Sequence, residues 1–202
     1  MKRLHIKVTF TTELLGTASA NPELHSEFIA SKAPDAPSRA DEVAALGAVE
    51  VEEKSMTVFP RFANGAPLMW DYQVKGFFKD ACSMLRRVPG TKSKGLKAFK
   101  KEIDGLVFVE PRQIELQLPP RGFVGDLQRP LRAQTAQGER VALAHSETCP
   151  VGTVLEFDVK LLRDDLEELV DEWLDYGADR GMGQWRNGGY GRFEYEKAKV
   201  DD

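Results

Sequence analysis

Two amphipathic helical stripes, each flanked by strand-like alternation, restrict this chain to a small set of folds. The first runs from Asp71 to about Arg87, with Val74, Phe77, Phe78, Ala81, Met84, Leu85 and Val88 recurring at helical spacing. Lys75, Lys79 and Arg86 fall on its opposite side, and Asp71 is placed to cap its start. The second runs from Asp164 to Tyr176, with Leu166, Leu169, Val170, Trp173 and Leu174 as its apolar stripe. Its opening, Asp164-Asp165-Leu166-Glu167, resembles a capping box with Asp in place of Ser or Thr. Ahead of the first stripe, Leu4, Ile6, Val8 and Phe10 alternate with His5, Lys7 and Thr9, as a half-buried strand requires. Between the stripes, residues 105–111 and 112–119 read as strands. Residues 153–162 alternate again and bury Leu155, Phe157, Val159 and Leu161. Residues 192–200 supply a closing strand. Strand, helix, strands, helix, strand is the βαββαβ order of an α+β, ferredoxin-like (RRM-like) domain.

The remaining segments fit around that frame as insertions into one domain, at about 17–55 and 89–104. Thr17 to Glu50 is long and irregular, with Pro22, Pro34 and Pro37, and loops of this length are usually functional or mobile. Residues 56–70 read as two short strands around an Asn64-Gly65 turn. Residues 128–147 read as a looser segment. No apolar run reaches the length of a membrane span. Lys7 and Glu13 interrupt the N-terminal apolar residues that would otherwise suggest a signal peptide. Cys82 and Cys149 stand alone, without metal-ligand spacing, which favours reduced thiols and a cytoplasmic setting.

The formal net charge of the 202 residues is −4, which argues against nonspecific nucleic-acid binding by the whole-molecule field. The charge is segregated, however. Arg86, Arg87, Lys92, Lys94, Lys97, Lys100 and Lys101 occupy one stretch free of acids, while acids gather from Glu50 to Glu53 and from Asp164 onward. A local anion-binding face is compatible with that distribution, as is a solvated basic loop.

The second unusual stretch is "GMGQWRNGGYGRF", Gly181 to Phe193. Glycines tolerate positive φ and let a backbone come close. Arg186 and Arg192 add charge, Gln184 and Asn187 add hydrogen-bonding groups, and Trp185 and Tyr190 offer stacking faces. These are the parts of a single-stranded nucleic-acid cradle, and equally of a turn whose aromatics complete the core. No GK[ST] ends the glycines and no helix follows, so a nucleotide P-loop is disfavoured.

The spacing Gly181-Met182-Gly183, five residues, Gly189-Tyr190-Gly191 resembles the G-Φ-G-x5-G-Φ-G loop of the RAMP superfamily, the repeat-associated RNA-binding proteins of CRISPR systems. Its position between the second helix and the final strand agrees. Residues 72–87, with Lys75-Gly76, are similar to the lysine-glycine opening of the first helix in type III effector backbone subunits. The Tyr72-Gln73-Val74 opening and the segment Thr17–Glu50 depart from that pattern, as in a divergent phage or mobile-element member. The resemblance implies an RNA-binding protein that holds guide or single-stranded RNA as a repeated backbone subunit of a CRISPR-type ribonucleoprotein. Its partners would be RNA, copies of itself along that RNA, or other effector subunits, with no membrane and no cofactor. The RNA contacts would come from Lys75, Gly76, Lys79, Arg86, Arg87, Lys92, Lys94 and Lys97, together with Gly181, Gly183, Gln184, Trp185, Arg186, Gly189, Tyr190, Gly191 and Arg192.

The resemblance also implies two candidate chemistries. RAMP processing enzymes often cleave RNA with a histidine, for which His25 is the candidate here, apt because its ordinary pKa lies near neutrality. Type III backbone subunits use a loop aspartate with a divalent metal, for which Asp35 is the candidate and Asp41 a rival. His5 reads as structural, and His145 is no better placed than His25. The alternatives to an RNA scaffold are therefore a RAMP-type endoribonuclease and a phage-encoded protein that interferes with a host RNA-guided complex.

Overall fold

A computed structural model describes residues 1–19, 56–135 and 138–200. The segment around His25, Asp35 and Asp41 lies outside the described residues. The described chain is mixed α+β, with two sheets and three α-helices.

The principal sheet is six-stranded. Strand β1 (Lys2–Phe10) lies beside the edge strand β11 (Phe193–Val200), antiparallel both to it and to the central strand β10 (Val154–Leu161). On its far side β10 pairs antiparallel with β6 (Val107–Glu110) and β7 (Gln113–Gln117), and β7 pairs with β5 (Leu68–Trp70). The alternation read from sequence is realised residue for residue. Leu4, Ile6, Val8 and Phe10 are fully buried, as are Leu155, Val159 and Leu161, with Phe157 almost so. Their neighbours His5 and Asp158 sit opposite one another on the other face, joined Nδ1 to Oδ1 at 2.8 Å.

Helices α1 (Asp71–Leu85) and α3 (Leu166–Arg180) cover the apolar face. Phe78 of α1 meets Trp173 of α3 with ring centroids 5.5 Å apart, and Phe77 meets Phe193 of β11 at 5.9 Å. Gly177 permits this approach: a Cβ there would run into the Phe77 and Phe193 rings. The helix starts differ from expectation. Trp70, not Asp71, is the N-cap of α1, and its N–H donates to Gln73 Oε1 at 2.7 Å. At α3, Asp165 is the N-cap without a side-chain bond, and Glu167 turns away from the helix start to accept from Lys2 at 2.9 Å. Met84 and Val88, read as part of the buried stripe, are exposed, because α1 ends at Leu85 and the chain leaves the core there.

Three further readings need correction. The strands flanking Asn64-Gly65 do not form a hairpin ladder. β4 (Met56–Val58) joins the second sheet and β5 the first, with an isolated bridge Arg61–Pro67 between them. The segment taken as loose is a long hairpin, β8 (Gly125–Thr135) and β9 (Gly138–Cys149), the centre of a five-stranded second sheet with β2 (Leu14–Leu15), β3 (Ala18–Ser19) and β4. Pro130 hides this strand from a propensity reading, since proline cannot donate to a ladder. Finally, the basic stretch is not loop throughout. Lys92–Gly95 forms a 3-10 turn and Phe99–Leu106 forms helix α2, whose Ile103 is fully buried.

Candidate nucleic-acid interface

The glycine segment begins where α3 stops. Gly181 takes φ +86° and its N–H returns to the Gly177 carbonyl at 2.7 Å, ending the helix. The two glycine triplets then close on each other: Met182 N–H donates to the Gly191 carbonyl at 2.8 Å. Gly191 N–H donates to the Glu13 carbonyl at 2.8 Å, and Arg192 N–H to Thr12 Oγ1 at 2.8 Å, which laces the loop to the β1–β2 connection. A Cβ on Gly191 would collide with the Met182 carbonyl, and one on Gly181 with the Tyr190 carbonyl. Both glycines are buried, as is Met182 between them. The close backbone approach that these glycines allow is therefore to the loop itself and to β2, where a Gly183 side chain would meet Leu14.

This closure fixes the outward half of the loop. Trp185 is held at φ +57° and starts a short 3-10 turn, Arg186–Gly188. Its ring lies 6.3 Å from that of Tyr190 at 61°. The guanidinium of Arg129, from β8, stands 5.1 Å from the Tyr190 ring. Arg180 donates from Nη1 to Asn187 Oδ1. Arg186 reaches back to α1 and pairs with Asp80 at 2.5 Å.

Between the loop and α1 lies a cleft of about 730 Å³. Tyr72, Gln73, Gly76 and Lys79 form one wall, Gly183 and Arg186 the other, with Asp104 of α2 beside them. Gly76 and Gly183, far apart in sequence, share this space. At Gly76 an added Cβ would meet nothing, so no packing in the described residues offsets the cost of about 0.5–1 kcal/mol that glycine brings to a helix interior. The cations of the cleft are already engaged. Lys79 pairs with Asp104, and Lys75 donates to the Asp104 carbonyl at 3.2 Å and lies 5.1 Å from the Phe108 ring. Burial pulls the Lys75 ammonium below its ordinary pKa, with Asp104 acting in the opposite direction.

The rest of the anticipated basic face is elsewhere. A helix rises about 1.5 Å per residue, so Arg86 and Arg87 lie at the far end of α1 from Gly76; Arg86 stacks on Phe99 at 5.0 Å. Lys92 is tied to α3: its ammonium meets Glu168 at 2.6 Å, and its N–H donates to Glu172 Oε1 at 2.6 Å. Ser93 adds its N–H to Glu172 Oε2 at 2.9 Å and its hydroxyl to the same carboxylate, and accepts from Trp173 Nε1 at 3.0 Å. Lys94 and Lys97 are exposed. The cleft thus unites Gly76, Lys79, Gly183 and Arg186, with Lys75 adjoining. A neighbouring depression of about 550 Å³ holds Gln184, Trp185 and the other side of Arg186. Thr17, Tyr72, Gln73, Arg129 and Arg180 line or adjoin these spaces without a sequence signal beyond their chemistry.

Neither candidate catalytic residue, Asp35 or His25, belongs to the described residues. His5 is occupied with Asp158, and His145 pairs with Asp126. Among the described residues no cluster of His, Cys, Asp and Glu could hold a metal ion, and no helix is long and apolar enough to cross a membrane. Both cysteines are buried free thiols, and burial pushes Cys149 up to about 12.

No protein-family model matches the sequence, and no curated protein is similar to it. Solved structures are similar. One is a chain of the type III-B Cmr-β complex, determined by cryo-EM bound to cognate target RNA. It shares 13% identity at a TM-score of 0.59, over 98% of this chain. The present chain spans 60% of that one's length. Another is a chain of a type IV-B CRISPR complex, at 13% identity and TM-score 0.47, over 97% of this chain and 90% of the other. The first likeness is one of fold.

Proposed function

We propose that this chain is a RAMP-like RNA-binding subunit of a CRISPR-type ribonucleoprotein, in which single-stranded or guide RNA runs through the cleft between α1 and the glycine loop. The observation that carries this reading is the convergence there of Gly76 and Lys79 with Gly183 and Arg186. A helix glycine with open space over it and a glycine loop tied down by its own backbone leave a firm, ungated surface. Lysine and arginine flank that surface, and stacking rings stand beside it. The fold reading is supported by the sheet order β11-β1-β10-β6, all antiparallel with both long helices on one face, as a ferredoxin-like βαββαβ core has it. The fold likeness to a Cmr-β complex chain gives it a precedent.

RNA would compete with Asp104 and Asp80 for Lys79 and Arg186. Each copy would then neutralise few phosphates, binding modestly and losing affinity as salt rises, with a slope of about −0.7 per phosphate contact on a log–log plot. Repetition along one RNA would restore strength by avidity. The test is particle size and absorbance ratio of the purified protein at low salt, before and after ribonuclease, together with binding of a labelled 20-nucleotide single strand. Nucleic-acid-rich particles that collapse on digestion, and that are lost on charge reversal at Lys75 and Lys79, support the reading. A monomer indifferent to the labelled strand overturns it.

A further inference from the structure

Glycine at position 76 has no compensation in the packing of α1, and Tyr72, one turn earlier, supplies a reason for it. Residues four apart on a helix lie one above the other, and their side chains lean toward the N-terminus. A side chain at 76 would therefore lean onto the Tyr72 ring. Glycine adds nothing to cover that ring, and the space where its Cβ would stand is open. Both residues line the wall of the cleft that faces Gly183 and Arg186. Behind Tyr72 stands Trp70, its ring parallel to within 7° at a centroid separation of 6.4 Å. The Arg112 guanidinium lies 5.4 Å from the Trp70 ring centroid and continues the stack. Trp70 is buried, so it backs Tyr72 and is itself closed to a ligand. Gln73 fixes the junction that carries both rings. Its Oε1 accepts from the Trp70 N–H at 2.7 Å, and its Nε2 donates to Thr17 Oγ1.

We propose that Tyr72, backed by Trp70, is a base-stacking shelf: a nucleobase of the bound strand lies on its ring in the space that Gly76 leaves, with adjoining phosphates at Lys79 and Arg186. This rests on the RNA-binding reading of the cleft and adds a contact to a base, where that reading has contacts to the strand's backbone. The shelf lies at the start of α1, apart from the glycine loop. It also falls where the sequence departs from the helix opening it otherwise resembles. Every base has a π-face, so the shelf accepts any sequence and favours the bases that stack most strongly. Unlike the phosphate contacts, stacking displaces no carboxylate from Lys79 or Arg186.

The test is equilibrium binding of two labelled 20-nucleotide strands, oligoadenylate and an abasic ribose-phosphate strand, across a salt series. The full chain is compared with Tyr72→Phe, Tyr72→Ala and Gly76→Leu. Tyr72→Ala should lose about tenfold in oligoadenylate affinity. Its abasic-strand affinity and log–log salt slope should stay unchanged, because no phosphate contact is removed. Tyr72→Phe should bind as the unaltered chain does. Gly76→Leu should raise the thermal midpoint, since leucine replaces glycine in a helix interior, while losing oligoadenylate affinity. A merely structural Tyr72 would not set stability and binding against each other in this way. Thermal melting identifies misfolding, and Gly76→Leu decides if Tyr72→Ala melts early. Wild-type oligoadenylate affinity in the deciding variant, or an equal loss on the abasic strand, would overturn the shelf and leave the cleft reading intact. No binding of either strand by the unaltered chain would overturn both.

Discussion

The two glycine- and cation-bearing segments, 86–101 and 181–192, look alike in sequence and are held in opposite ways. The first is fastened by side chains: Glu172 caps the start of the Lys92–Gly95 turn from across the molecule, and Glu168 takes the Lys92 ammonium. The second is fastened by its own backbone, through the Met182–Gly191 bond and the bond from Gly191 to Glu13. Where carboxylates do the fastening, a positive charge is consumed within the molecule. Where backbone does it, the fastening itself consumes no charge: Arg192 meets no carboxylate among the described residues, although Arg186 pairs with Asp80. Each segment therefore holds both engaged and exposed cations, and a count of cations does not by itself locate an anion site.

The largest expected effect comes from breaking the backbone fastening. Gly191→Ala places a Cβ against the Met182 carbonyl at φ +72° and should destabilise the fold by about 3–5 kcal/mol in urea unfolding. Gly189→Ala, at φ +86° but with only the Arg192 guanidinium carbon near the added Cβ, at 4.0 Å, should cost only about 1–2 kcal/mol. Equal losses would show that the two triplets do not close on each other as described.

Breaking the carboxylate fastening should cost less. Glu172→Ala strands the Lys92 and Ser93 N–H groups, with an expected loss of about 1–3 kcal/mol. Limited proteolysis should then cut near 92–101 well before it cuts the glycine loop, and unchanged protection would refute the comparison.

Charge changes sharpen it further. Lys79→Glu, in the cleft, should weaken single-strand RNA binding on the order of tenfold at low salt, and Lys97→Glu much less. Asp104→Asn should act in the opposite sense, because it releases Lys79. Comparable losses at Lys79 and Lys97 would move the interface to the basic stretch.

The smallest effect belongs to neither segment. The Lys2 hydrogen bond, aided by Lys197 and Lys199 and opposed by burial, holds Glu167 down to about 2. Its folded pKa is depressed, so its contribution is present above the ordinary carboxylate pKa and lost as pH falls toward 2. Glu167→Gln should flatten the acid side of the stability profile between about pH 5 and 2, while leaving RNA binding near neutrality unchanged.

Much of the frame was legible because its signals are local and periodic. Leu4 to Phe10, Leu155 to Leu161 and the stripes of α1 and α3 bury what their spacing says they should. What escaped depended on partners distant in sequence. The β8–β9 hairpin was obscured by Pro130, and α2 by a lysine-rich composition that outweighed Phe99, Ile103 and Leu106 at helical spacing. The candidate site was half legible. Lys79, Gly76, Gly183 and Arg186 could be named, but not their shared cleft, and Arg129 carried no mark of its place.

The sequence by itself determined the two long helices, the strands of the principal sheet and the turn-forming character of the glycine loop, since hydrophobic period and positive-φ tolerance are properties of neighbouring residues. Only the tertiary structure decided which charges are free. That depends on which carboxylate each cation meets across the fold: Glu168 beside Lys92, Asp104 beside Lys79, and none among the described residues beside Arg129.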